Sequence, residues 1–301
     1  MAMAANITKK QHYVPRFYLR NFTDENGLLH VYDREKQKIF CAPPEKILYE
    51  KMLYETRWEG ASEQLGDYVL KNELEHSLGE RESRYGALIN HVLEKCNRAN
   101  PFETIICSEG NKDCLADCIV NLYLRNPRTF FDIQNEYADS SALDICQAAE
   151  SLFTALNLGS PHSLIKHSIK QGILDPAIPG GPAYVEKRSL LKMNVVFLKA
   201  CASRFITSSC PVITIEENYN SRKTEKQIKM VSFPLSPKIL VFCSDDPQMQ
   251  VLSNKFFYAG EDFVFSVNAL YEKMSMEETR FLVADSKNCL EPLIQNRHGS
   301  K

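Results

Sequence analysis

The chain has no apolar run of about 18 residues, the length that a membrane-spanning helix needs. It also has no excess of basic charge. Its 36 lysines and arginines stand against 38 aspartates and glutamates, a net charge of −2. That excludes broad electrostatic binding of duplex nucleic acid and leaves room only for a local basic patch. No C-x-x-C occurs among the ten cysteines. Met1 to Lys10 is short and polar, without the apolar centre of a signal peptide. The expected compartment is therefore the cytoplasm, and the expected state of the thiols is reduced. A G-x-x-x-x-G-K-[ST] loop, a G-x-G-x-x-G turn, an H-E-x-x-H helix and a calcium-binding loop are all missing. ATP hydrolysis, dinucleotide redox chemistry and zinc proteolysis lose their support with them. His162 and His167 are five apart, a poor spacing for one helix face. There is no internal repeat and no low-complexity run.

What is there suffices for a real core. Of the 301 residues 44% are hydrophobic and 25% charged, an ordinary globular balance. Pro15 suits the first turn of a helix and predicts a short one over 16–22, broken by Asp24-Glu25-Asn26-Gly27. Residues 28–33 and 38–42 read as two strands around a charged turn, ended by Pro43 and Pro44. Ser62 is a plausible N-cap for a helix to about Leu78, interrupted by Gly79. Over 80–95, Tyr85, Leu88, Ile89, Val92 and Leu93 make one helical face. Residues 111–125 repeat the pattern with Leu115, Cys118, Ile119, Leu122 and Tyr123, until Asn126-Pro127 ends or kinks the helix. Further helices are expected over 141–156 and 162–171, and a loop over 175–182, which holds three prolines and two glycines. Beyond it, 193–199, 204–207, 212–216, 229–233 and 239–243 are short, rich in Val, Ile and Phe, and strand-like. A helix over 262–274 and a strand over 279–284 follow. The order predicts an α+β fold with a mainly helical middle and a mostly antiparallel sheet of C-terminal strands, which the N-terminal hairpin is free to join. One domain over 1–301 is expected, helical at about 62–174 and strand-rich at about 190–285.

The stretch from Gln11 to Phe22 is the densest in chemistry. A histidine, two tyrosines and two arginines alternate with apolar residues. An ordinary arm is polar and frays; three aromatics and a leucine after Pro15 require this one to dock, with the C-terminal sheet as the expected partner. The segments HYVPRFYLRNF (His12 to Phe22), RFITSSCPV (Arg204 to Val212) and FPLSP (Phe233 to Pro237) resemble the three signatures of domain of unknown function 4238, an uncharacterised and mainly bacterial family. The resemblance covers nearly the whole chain in the right order. It implies no reaction. It does imply that Glu82 and Arg125 match a family glutamate ahead of an apolar helix and a family arginine ahead of a helix-breaking proline. Relatives carry Asp where this chain has Ser209. If the family works through a metal at that position, this chain is either impaired or recruits another carboxylate, such as Asp245 or Asp246.

The candidates divide between chemistry and packing. His12 is a general base in a cleft or a peg for the arm. Arg16 and Arg20 are four apart and could grip a phosphate or carboxylate, or simply be solvated. Among Asp67, Glu73, Glu75, Glu80 and Glu82, Glu75 and Glu82 are seven apart and share a face only if the helix runs through Gly79. The plainer reading is a solvated face with local pairs such as Glu80 with Arg84. Ser208 and Ser209 lack the G-x-S-x-G elbow of a nucleophile. Cys210 has no base nearby in sequence. Cys114 and Cys118 share a helix face, but no further ligand-type residue lies near, so no metal site is expected. No cofactor is indicated and the oligomeric state is open. The catalytic set is therefore His12, Glu82 and Arg125, with Tyr13, Arg16, Ser208 and Ser209 as ligand-binding residues. Two functions fit: a hydrolase acting on a phosphodiester or nucleotide, or a non-catalytic module that binds a small anionic ligand or a peptide.

Overall fold

The computed structural model describes residues 7–60, 66–138, 142–156, 158, 160–221 and 224–298. The chain opens with β1 (Lys10–His12) and α1 (Arg16–Leu19), which tightens into a 3-10 turn over Arg20–Phe22. Pro15 lies one place earlier than expected. It is the N-cap, in extended conformation (ψ 143°), and Arg16 begins the helix. The hairpin follows as expected, β2 (Leu29–Asp33) against β3 (Lys38–Ala42), with Asp24 Oδ1 accepting the N–H groups of Asn26 and Leu28 in the turn before it. Three short strands come next: β4 (Tyr49–Lys51), paired with β1, then β5 (Thr56–Arg57) against β6 (Tyr68–Val69).

The helical middle begins later than expected. Ser62 lies outside the described residues, and the first long helix, α2 (Glu73–Arg98), starts after Asn72 in left-handed conformation (φ 61°). Gly79 does not interrupt it. A glycine inside a helix costs about 1 kcal/mol. Leu74, Leu78, Tyr85, Leu88, Ile89, Val92 and Cys96 are buried along one stripe on both sides of it, and each large apolar side chain there contributes roughly 1.5–3 kcal/mol. The stripe outweighs the glycine.

Ser108 caps α3 (Glu109–Leu124) by accepting the Asn111 N–H. The Asn126-Pro127 break is real. Arg125 ends α3, the Asn126 side-chain oxygen accepts the Arg128 and Thr129 N–H groups, and Pro127 opens α4 (Pro127–Ala138). Then come α5 (Ala142–Ala155), α6 (Pro161–Leu174) and α7 (Pro182–Leu190). The sequence reading leaves α7 out; it starts at the last proline of the predicted loop.

The second half carries β7 (Asn194–Ala200), β8 (Thr207–Ser208), β9 (Ile213–Ser221), β10 (Thr224–Pro234), β11 (Ile239–Ser244), β12 (Phe256–Ala259), α8 (Glu261–Lys273), β13 (Phe281–Ala284) and α9 (Glu291–His298). The strands form two larger sheets rather than one. The order β12-β7-β11-β10-β9 is antiparallel except where β12 runs parallel to β7. The second sheet, β3-β2-β13-β8, holds the N-terminal hairpin against C-terminal β13. The class is α+β. One hydrophobic cluster draws on both ends of the chain, from Tyr13, Val14 and Tyr18 to Phe233, Phe256 and Val283. No helix among the described residues is long and apolar enough to cross a membrane.

Candidate functional site

The three sequence signatures meet, and they meet at a buried joint. The Tyr18 hydroxyl donates to the Pro234 carbonyl (2.7 Å) and bonds the Thr207 hydroxyl (2.7 Å). The Tyr18 ring stacks on Phe233 with centroids 5.3 Å apart. The Phe205 N–H donates to the Pro237 carbonyl (2.8 Å). Tyr18, Phe205, Thr207 and Phe233 are all fully buried. The arm thus docks on the C-terminal strands, and this joint is a folding contact with no route to solvent.

The polar cluster lies at the other end of the arm. In β1, Gln11 is fully buried; its side chain accepts the Tyr54 N–H (2.8 Å) and donates to Glu55 (2.9 Å). That clamp sets Tyr54 beneath Arg125. The Arg125 Nε donates to the Tyr54 hydroxyl (2.9 Å), and the hydroxyl lies 3.4 Å from the His12 carbonyl. Nη1 donates to Glu82 (2.7 Å) and Asn121 (3.3 Å), and Nη2 donates to the His12 carbonyl. The Arg125 side chain is 1% exposed and that of Glu82 26%. Burial works against the guanidinium charge, but the Tyr54 oxygen and the Glu82 carboxylate more than offset it and hold Arg125 charged.

Around this ion pair sit groups with unused hydrogen-bonding capacity. Among the described residues, His12 Nε2, Glu75 Oε2 and Asn121 Nδ2 are buried atoms without a partner. Burial first, then Arg16 and Arg125, push the His12 pKa below its ordinary value of 6.5; Glu82 and the Pro44 backbone oppose. Glu75 moves the other way. Burial, aided by Glu82 and Glu55 and opposed by Arg125 and Arg16, lifts it from 4.5 to about 7. Glu75 and Glu82 share a face because α2 runs straight through Gly79. The Arg16 side chain is exposed and forms no ion pair or hydrogen bond among the described residues, although its charge also acts on Glu45. Arg20, by contrast, pairs with Glu45 (3.3 Å).

The remaining candidates lie apart. Tyr13 is buried among core residues, its hydroxyl raised by burial and next by Glu50. Ser208 is fully buried and spends its hydroxyl on Cys210, donating to the carbonyl (2.7 Å) and accepting the N–H (3.0 Å). Ser209 Oγ accepts the Phe281 N–H (3.2 Å), and its carbonyl accepts from Asn126 (3.1 Å). Neither serine bonds His12, Glu82 or Arg125; Asn126 is the link between them. Asp245 accepts the Lys229 N–H of β10 at the end of the β10–β11 pair, and Asp246 caps the following 3-10 turn by accepting the Gln248 N–H; neither bonds Ser209. Burial raises the Cys210 thiol to about 12, unsuited to a nucleophile, and the fully buried Cys118 is also pushed well up. Glu80 pairs with His76 (3.4 Å) rather than Arg84.

A groove of about 500 Å3 runs along α2 and reaches Glu75. A larger cavity, about 590 Å3, opens between α8 and residues 286–293 and holds none of the groups around Arg125. We place the candidate site at the cluster, because unpartnered buried polar atoms are costly and call for a reason. Sequence reasoning missed Tyr54 and Asn121. Tyr54 sits in an irregular segment with no pattern to mark it. Asn121 does leave a trace, a polar residue inside the apolar stripe of α3.

The chain matches, over residues 10–288, the family described as protein of unknown function (DUF4238). It belongs to that family. No curated protein and no solved structure matches it. Glu82 and Arg125, the positions the family resemblance singled out, form the ion pair at the centre of the cluster.

Proposed function

We propose that this DUF4238 chain is a hydrolase acting on a phosphodiester or nucleotide at the His12–Glu75 cluster. One observation carries the reading: two buried, unpartnered titratable atoms, His12 Nε2 and Glu75 Oε2, flank one fixed ion pair beside a free arginine. Neighbouring groups driven in opposite directions supply a base and an acid at one pH. Neutral His12 accepts a proton from water, whose oxygen attacks phosphorus. Protonated Glu75 gives its proton to the departing oxygen. Arg16 holds the anionic phosphate. Arg125 does not stabilise developing charge, because Glu82, Tyr54, Asn121 and the His12 carbonyl already engage it. Its role, with Glu82, is to fix the backbone that carries the base.

That commitment of Arg125 also favours a second reading, a non-catalytic module that binds an anionic ligand through Arg16. Assays with bis(4-nitrophenyl) phosphate and a diribonucleotide separate the two. The hydrolase reading expects turnover that declines as pH rises past about 7, where Glu75 loses its proton. It also expects His12→Ala to lower kcat by roughly 100-fold or more with only a small drop in melting temperature, since Nε2 gives up no bond and the ring loses only its Pro44 backbone and Tyr49 contacts. Wild-type protein that binds adenosine 5′-monophosphate but turns nothing over belongs to the second reading.

A further inference from the structure

Gly79 poses a question that packing does not answer. It sits near the start of a 26-residue helix, where glycine is the poorest choice after proline. Nothing crowds it: a Cβ built there meets no atom within 4 Å, and its backbone is ordinary right-handed helix. Neither a turn nor a close neighbour accounts for the missing side chain. What lies over it is the groove of about 500 Å3. Thr8 and Asn72 stand at one end, tied by a 2.9 Å bond from the Thr8 N–H to the Asn72 side chain. Ser83 stands at the other, its hydroxyl on the Gly79 carbonyl (3.3 Å). His76 and Glu80 form an exposed wall, and Glu75 lies deepest, with its Oε2 buried and unpartnered.

The lining fixes the chemistry of an occupant. Its one aromatic ring is the exposed His76 imidazole, which pairs with Glu80, and it has no Phe, Tyr, Trp or large aliphatic side chain, so it offers little stacking surface for a base and no surface for an acyl chain. The Glu80 carboxylate in the wall disfavours a phosphate within the groove itself. Hydroxyl, amide and carboxyl groups side by side suit a neutral moiety rich in hydroxyls. Four residues beyond Thr8 the chain reaches His12, and Arg16 acts electrostatically on both His12 and Glu75. We propose that the Gly79 groove holds the ribose of a ribonucleotide substrate, with its phosphate at Arg16 and the scissile bond between Glu75 and His12. Gly79 is then a specificity residue, whose missing side chain leaves space for the sugar. This inference rests on the cluster being the site and goes further by naming the sugar.

The test is Gly79→Leu, with Gly79→Ala as the mild control. Both improve helix propensity at an exposed position, so neither should unfold the protein, and an unchanged or raised melting temperature checks that. Binding of adenosine 5′-monophosphate and its 2′-deoxy analogue to the intact chain is measured by calorimetry. The wild type should bind the ribonucleotide at least fivefold more tightly than the deoxy form, and Gly79→Leu should weaken the ribonucleotide tenfold or more and abolish the preference. In kinetics, Gly79→Leu should raise KM for a diribonucleotide by a larger factor than for bis(4-nitrophenyl) phosphate, which has no sugar. Ribose-dependent binding without any turnover keeps the groove assignment and removes the hydrolase. Turnover of both substrates, equally fast in Gly79→Leu and wild type, keeps the hydrolase and overturns the groove. A wild type that binds neither nucleotide overturns the groove as well.

Discussion

Replacing Glu75 by Gln should remove one pH-dependent contribution to stability. The folded chain lifts this carboxyl from 4.5 to about 7, chiefly because burial penalises its charge. A folded-state pKa above the unfolded one means that the native state holds the proton more tightly. The contribution to stability is therefore fully present below about pH 4.5 and is lost as pH rises through about 7. At about 1.4 kcal/mol per pH unit, the interval corresponds to about 3 kcal/mol. Glu75 lines a groove and keeps some hydration, so we expect about 2 kcal/mol of it to be lost between pH 5 and pH 9. Gln has the same shape and nothing to ionise.

The assay is urea unfolding of wild type and Glu75→Gln at matched ionic strength from pH 5 to pH 9. The readout is their difference, which removes every group the two share. His12 is one of these and has the opposite sign: its lowered pKa gives stability present above 6.5 and lost as pH falls below it. Near pH 5 the two proteins should match. At pH 9 the variant should be more stable by about 2 kcal/mol, which for a chain of this size is about 3 °C in melting temperature. A difference that stays constant across the range would refute the burial argument. So would a variant that is the weaker one at high pH, because Glu75 would then be an ordinary stabilising carboxylate.

Arg125→Met should cost roughly 3–5 kcal/mol in chemical unfolding, because it strands the Glu82 carboxylate and the His12 carbonyl at a site from which the guanidinium excluded water; a loss below about 1 kcal/mol would show the hub to be superficial. Tyr18→Phe removes one hydroxyl that serves both Thr207 and Pro234 at the junction of the three signatures, and should cost about 1–3 kcal/mol while leaving any binding at the His12 cluster intact. Loss of binding at unchanged stability would instead make that joint part of the site.

Where a single local rule decides, the sequence was readable. The charged turn over 34–37, with Pro43 and Pro44, marks the β2–β3 hairpin, and the Asn126-Pro127 break needs only the missing proline donor and the asparagine cap. Rules in competition were harder. Gly79 argued for a break, yet the buried stripe from Leu74 to Cys96 carried α2 past it. Strands β1 and β4 have three residues each and no pattern; their pairing is fixed by the Gln11 side chain, which reaches Tyr54 and Glu55 more than forty positions away. Of the site, Glu82 and Arg125 were legible through resemblance alone. Glu75 was legible only on condition of a continuous helix. The serines stood out as polar residues in a signature, but a turn beside a strand uses such hydroxyls on its own backbone.

Two separate contact sets hold the arm, and their separation bears on affinity. At one end the His12 carbonyl is bound by Arg125 and the β1 backbone by β4. At the other, six residues on, Tyr18 is locked between Thr207, Pro234 and Phe233. Arg16 lies between these anchors, on a backbone already ordered, with only its side chain at liberty. A ligand anion that captures it orders one side chain, roughly 0.5–1.5 kcal/mol, rather than a loop at about 1–2 kcal/mol for every backbone residue. Arg125 could not serve this purpose despite its stronger surroundings, since drawing it toward a ligand would break the bonds that place His12. The buried arginine sets the geometry and the exposed one remains available for the ligand.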